Sequence, residues 1–446
     1  MRKFYYSLAI VALAATSCQQ EVVFSDTPKE PHSIELAESA TTRSYDEALE
    51  VAEEALKLLD GDNTRTSHSR VIKRNEGQTV MRPITRGGET AEEPIMYVFN
   101  NENDEGFVIV AANKSVQPLI AVTEKGNYTY GEPTGVEPFD LLMEDVVTGL
   151  SVIEPDLDPI IRTERENELF DPQGPYSPIQ WGTGTIYGSM YPDGIAYDEA
   201  TAIAQGLMCS MIDAEYTITN PNDALYGQTI AFDKGSMDTH VRNDYHGFLF
   251  NTCTDDTHNQ ISRLFLEIGY RLSNGTNISL SNKLSSFTLT KVRSVLESFG
   301  AEVGEITAVP LANPYINIID RDVYVFRGTY DDPLSILPGA HTWVATGLNK
   351  HTYDRVVYMP NYMIDPNHPN PNEYTETSRE QIVEYLYYMN WGYDGYSNGW
   401  FISGCFDMSQ RDSSTSIPIG GLKPTLDYNF VNVEVMTINN PAIVIN

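Results

Sequence analysis

Asp198 is the residue whose type and place bear most directly on chemistry. It follows the loop Gly194-Ile195-Ala196-Tyr197 and opens a run in which Ala200, Ile203, Ala204, Leu207, Met208 and Met211 recur at helical spacing. It is expected to be the N-cap of that helix. A group there faces the positive end of the helix dipole and the unpaired N–H groups of the first turn, which favour an anion. Nucleophilic thiolates are often built at such places. Here the group is a carboxylate. The cysteine on the same helix, Cys209, lies about 16 Å further along the axis and cannot replace it. Cys209 is expected to be a buried structural thiol.

The elements that must position this group come in two sets. Ser44 opens a helix with Glu47 as its capping-box partner, and Ala48, Val51, Ala52, Ala55, Leu58 and Leu59 form its apolar stripe. Residues 61–92 are polar and are expected to lack regular structure. Met96–Phe99, Gly106–Val110 and Leu119–Val122 read as strands, and Phe139–Leu150 as an amphipathic helix. Together they make a small α+β domain over residues 44–153, and the Pro-, Asp- and Glu-rich residues 154–176 read as an exposed linker.

The second set fills residues 177–439. Helices are expected at Asp198, over Ile261–Tyr270 and over Leu289–Phe299, the last closed by Gly300. Strands are expected at Val323–Gly328, His341–Gly347, Val356–Met359, Tyr388–Gly392, Gly399–Ile402 and Asn432–Met436. Helices first and antiparallel strands second predict an α+β domain in two halves. Residues 440–446 are a short tail.

The chain has 446 residues and a formal net charge of −33. That acidity argues against a nucleic-acid partner and against charge-driven binding to an anionic membrane. Met1 to Cys18 has the form of an export signal: Arg2 and Lys3, then the apolar Leu8–Ala15, then Ala15-Thr16-Ser17-Cys18. That ending resembles a bacterial lipobox. It implies a lipid-anchored protein of the bacterial cell envelope, tethered through Cys18 by the flexible residues 19–43. The plainer alternative is a cleaved signal peptide with Cys18 incidental. Cys209, Cys253 and Cys405 are then left, an odd set that makes no disulfide framework.

A Trp181-Gly182 segment, the Ala200-Thr201-Ala202-Ile203-Ala204-Gln205 helix, Ala340-His341 on a strand, and Asn390-Trp391-Gly392 follow one another in order. This order resembles the streptopain family of papain-like cysteine peptidases. The domain ahead of it, notably Gly106-Phe107-Val108-Ile109-Val110, resembles that family's inhibitory propeptide. The resemblance implies a papain-like fold with a helical half and an antiparallel β half. It places His341 on the histidine that keeps the nucleophile ionised, and Asn390 on the residue that orients its ring. Trp391 falls beside them. The nucleophile's position is Asp198.

Further departures cluster there. Tyr393 stands for a Trp, Asp394 for a Gly, Ala340 for a Gly and Thr183 for a Gln. A carboxylate is a poor peptidase nucleophile, because the tetrahedral adduct expels it more easily than the amine. Asp198 is expected instead to cap its helix, worth about 1 kcal/mol, and to pair with protonated His341. His341 reads equally as a strand histidine held by packing. His240, His246, His258, His351 and His368 sit in polar stretches and are expected at the solvated surface. One Asp and one His are a thin basis for a metal site, and no cofactor is implied. The expected function is an inactive peptidase-family lipoprotein that binds a peptide or protein in its cleft, with its own propeptide-like domain as a further partner. The alternatives are a hydrolase with an unrecognised nucleophile, and a latent scaffold whose cleft that domain plugs.

Overall fold

A computed structural model describes residues 33–35, 41–60, 70–86, 89–151, 160–175, 179–183, 187–192, 195–210, 215–231, 237, 255–276, 287–308, 322–330, 339–365, 367, 373–402 and 430–439. Cys18, Met211, Cys253, Cys405, His240, His246 and His368 lie outside the described residues. Among the described residues no helix is long and apolar enough to cross a membrane.

The described elements, in chain order, begin with β1 (Ser33–Glu35), α1 (Tyr45–Asp60), β2 (Gln78–Arg86), β3 (Glu89–Asn100), β4 (Phe107–Ala111), β5 (Leu119–Thr123) and α2 (Glu137–Ser151). The capping box forms at α1: Ser44 N–H donates to Glu47 Oε2 at 2.7 Å and Glu47 N–H to Ser44 Oγ at 3.2 Å. The antiparallel strands β2 to β5 carry α1 on one face, over Tyr97, Val108, Val110 and Val122. They carry α2 on the other, over Val98, Phe107, Ile109 and Ala121. The expected absence of structure over residues 61–92 is corrected by β2. Its alternation is weak, and its pairing along β3 supplies what hydrophobicity does not.

Next come β6 (Ile160–Gln173), α3 (Asp198–Cys209), β7 (Glu215–Thr217), β8 (Thr229–Ala231), α4 (Asp255–Leu272), α5 (Leu289–Ser298), β9 (Glu302–Val303), β10 (Thr307–Ala308), β11 (Val323–Tyr330), β12 (Gly339–Pro360), α6 (Asn361–Ile364), β13 (Glu373–Asn390), β14 (Gly399–Ile402) and β15 (Phe430–Asn439). The fold is α+β. Helices α3, α4 and α5 bury one face against Val323, Val325, Val344, Met436 and Ile438. The opposite face, through Tyr324, Phe326, Trp343, Met389 and Trp391, joins the core under α2.

Two expectations change here. His341–Gly347 and Val356–Met359 belong to one strand, β12, which pairs with β13 from Val344 to Pro360. The expected linker over residues 154–176 contains β6, which pairs with β12 from Leu348 to Tyr358. β6 is too charged to read as a strand on its own; β12 provides the ladder.

Candidate functional site

Helix α3 begins at Asp198 with Tyr197 as N-cap, in extended geometry (φ −73°, ψ 148°). Asp198 is therefore not the cap that its spacing predicts but the first helical residue. Ala200, Ile203, Ala204 and Leu207 bury the helix against α4, α5 and the sheet, which fixes where its first turn points. Gln205 donates from Nε2 to the Trp181 carbonyl at 2.5 Å, tying the Trp181-Gly182-Thr183 segment to the same helix.

The opposite wall is β12. His341 pairs with Gly328 of β11 and is buried. Its Nδ1 lies 2.8 Å from Asp198 Oδ2, and its Nε2 lies 2.9 Å from the Trp391 carbonyl oxygen. A carbonyl and a carboxylate both only accept, so both ring nitrogens carry protons and the ring is an imidazolium. The electrostatics agree. Burial alone would lower the pKa of His341, but the Asp198 charge, its hydrogen bond and the Trp391 carbonyl together raise it above the ordinary value. The His341 ring stacks on Trp343 at 6.0 Å and lies 5.8 Å from the ring of Tyr393. The Asp198 side chain remains 32% exposed, against 4% for His341, so the pair is reached from the aspartate side.

Asn390 does not orient the histidine. Its Nδ2 donates to the Ile179 carbonyl at 2.7 Å and its Oδ1 accepts from Gly392 N–H at 3.1 Å. It clamps the chain ahead of Trp181 to the turn after Trp391. The orienting group is the Trp391 backbone carbonyl. That carbonyl is set by Trp391 N–H donating to Asn398 Oδ1 at 2.9 Å and by indole Nε1 donating to the Ser397 carbonyl at 3.0 Å.

Sequence reasoning missed Glu199. It is buried beside Asp198 and accepts from Phe287 N–H at 3.0 Å. Burial, and then the Asp198 charge, push its pKa up to about 7. The signal available was the acidic pair Asp198-Glu199 in the first turn of a helix. The departures also acquire a geometry. Asp394 occupies a left-handed backbone position (φ 53°), which explains why a Gly suits it. A Cβ added at Gly182 would lie 2.5 Å from Asp394 Oδ1, so this carboxylate packs directly on the Trp181-Gly182-Thr183 segment. Thr183 N–H donates to the Gly392 carbonyl at 3.1 Å.

The remaining candidates lie elsewhere. Cys209 ends α3 and is half-buried rather than buried. His258 is half-buried on α4. His351 is fully buried, not solvated: it faces Gln117, whose Nε2 is 2.9 Å from its Nδ1. Its polar neighbours in sequence concealed a cover that comes from a distant loop. Among the described residues no group of three or more His, Cys, Asp or Glu side chains could hold a metal.

Residues 37–146 match the family model described as Spi protease inhibitor. The match falls on the amino-terminal domain. A Spi-type match over residues 37–146 bears out the resemblance to streptopain-type precursors with their propeptide domain. No curated protein matches. Among solved structures, the chain is similar to a fragment of prointerpain A from Prevotella intermedia, at 17% identity and a TM-score of 0.44, over 81% of this chain and 98% of that one.

The ion pair makes stability depend on pH. The folded pKa of His341 lies above the value of about 6.5 expected in the unfolded chain. Its contribution is therefore full below that value and is lost as pH rises through the folded pKa. Urea midpoints are expected to fall from about pH 6.5 upward in the wild type and to lose that component in His341→Gln. A pH profile that does not change on this substitution contradicts the assignment.

Proposed function

We propose that this chain is a streptopain-type lipoprotein of the cell envelope that has lost peptidase activity and holds a peptide or protein in its cleft. One observation carries the loss of activity. Both nitrogens of His341 are taken, by Asp198 and by the Trp391 carbonyl. An imidazolium in that arrangement has no lone pair with which to activate a hydroxyl, a thiol or a water. Asp198 offers a carboxylate where acyl transfer needs a nucleophile whose acyl product is stable. The exposed side of Asp198 supports a cleft that is still open to a ligand. The lipid anchor rests on the Ala15-Thr16-Ser17-Cys18 segment.

The test is to incubate the chain from residue 19 onward with casein and with casein-derived peptides, and to follow the histidine ring resonances. Casein is expected to stay intact. The His341 signal is expected to shift saturably with peptide. Hydrolysis that disappears in Asp198→Asn would establish a working enzyme. No hydrolysis and no shift would leave the cleft without a ligand role and favour a latent scaffold.

A further inference from the structure

We infer that the amino-terminal inhibitor domain is a permanent lobe of this protein, which cutting the chain between Ser151 and Ile160 does not release. The inference is independent of whether the cleft binds a peptide. Three kinds of contact carry it.

The first is a shared sheet. β14 is four residues long and is paired on both sides, by β13 and by β5 of the inhibitor domain. Gly399, Trp400 and Phe401 face Thr123, Val122 and Ala121 in register. A side chain at Gly399 would run into the Val122 carbonyl, so the residue type at this position suits the docked strand. Without β5, β14 becomes a bare edge with unpaired N–H and C=O groups.

The second is the loop that carries the site. Ser397 N–H donates to the Lys125 carbonyl at 3.1 Å, and Glu124 N–H donates to the Asn398 carbonyl at 2.9 Å. Lys125 Nζ donates to the Asp394 carbonyl at 2.9 Å and lies 4.1 Å over the Tyr396 ring. Tyr388 donates its hydroxyl proton to Glu124 Oε2 at 2.5 Å. The residues that fix Trp391, namely Ser397 and Asn398, are thus themselves held by the inhibitor domain.

The third is burial. Phe139 of α2 meets Phe401 at 6.0 Å, within a core that runs unbroken from Val80 to Trp343 and Val433. A domain that dissociates normally closes its own core and presents a face no more apolar than the rest of its surface. Here Gln117 and His351 are fully buried against each other across the boundary. Separation would expose apolar side chains on both halves and leave these polar groups to rehydrate. Downstream, β6 is already locked into β12, so the chain that leaves the inhibitor domain soon re-enters the shared sheet.

The experiment inserts a site-specific protease sequence between Ser151 and Ile160 of the full chain, cuts it to completion after folding, and applies the product to a sizing column. The two fragments are expected to co-elute at the volume of the uncut protein and to stay together on dilution into the nanomolar range. Separate peaks, or two thermal transitions where the uncut chain shows one, would overturn the inference. Gly399→Val is expected to release the amino-terminal fragment after the same cut. Hydrogen exchange on the uncut wild type gives an independent answer. Amides of Ala121–Thr123 and Gly399–Ile402 are expected to be as protected as those of Val344 and Ala345, and orders-of-magnitude faster exchange at this seam would also sink the idea.

Discussion

Asp198→Cys is expected to turn this site into a reactive thiolate. Three features of the structure converge on position 198. It opens a helix whose first-turn N–H groups and dipole favour an anion. It faces His341, whose ring is protonated. It remains partly exposed to solvent. A cysteine sulfur would sit one bond short of the present carboxylate oxygens, beside the same Nδ1–H. Ordinary cysteine has a pKa of about 8.5, and such surroundings lower it to between about 3.5 and 7.5. Alkylation of Asp198→Cys by iodoacetamide is therefore expected to stay fast at pH values where Cys209 in the same chain does not react. A pH profile like that of a free thiol would show that the helix and His341 do not act on this position.

Peptide hydrolysis by the same variant is expected to be slow. Asp394 packs a carboxylate on Gly182, next to Thr183, and acyl transfer needs hydrogen-bond donors rather than a further negative charge around a developing oxyanion. Thr183 stands where the resemblance places a Gln, and it has no amide to offer. One such donor is worth about 10²–10³ in kcat. Adding Thr183→Gln and Asp394→Gly to Asp198→Cys is expected to raise casein cleavage by about that factor. Equal rates in the single and triple variants would mean that these departures do not matter to the chemistry. The ordering also separates silencing at one residue from dismantling of the whole site.

What could be read in advance follows from where each interaction lies along the chain. Asp198 and His341 were legible because their immediate neighbours form short motifs in a fixed order, and the helix stripe from Ala200 to Met208 is local. The partner of His341 Nε2 was not. It is a backbone carbonyl, set by the turn from Trp391 to Asn398, and a carbonyl has no side-chain signature. The resemblance puts the orienting role on Asn390, yet its amide is spent on Ile179 and Gly392. β6 and β2 escaped for a related reason. Their sequences are polar or charged, and their regularity comes from ladders with β12 and β3 rather than from alternation. His351 shows the same limit for burial, since Gln117 covers it from far away in sequence.

Trp391→Ala is expected to be among the most destabilising single substitutions in this chain, at about 3–5 kcal/mol. Trp391 is fully buried. Its ring meets Trp343 at 5.3 Å and Phe401 at 5.4 Å, and its Nε1 donates to the Ser397 carbonyl. Because the core around it runs on to Phe139 of the inhibitor domain, the loss is expected in one cooperative transition rather than in the peptidase-like half alone. The contact with His341 is made by the backbone, so the effect on the site is indirect: without the indole, the 391–398 turn loses an anchor. Trp391→Phe separates the two contributions. It keeps most of the ring packing and drops the Nε1 bond, which is worth about 1 kcal/mol. In urea unfolding the Phe variant is expected to lose far less than the Ala variant. The His341 ring should titrate lower in Ala than in Phe, because a loosened turn no longer holds its carbonyl on Nε2. Equal stability losses in the two variants would show that the indole hydrogen bond, and not the packing, is what the core requires at this position.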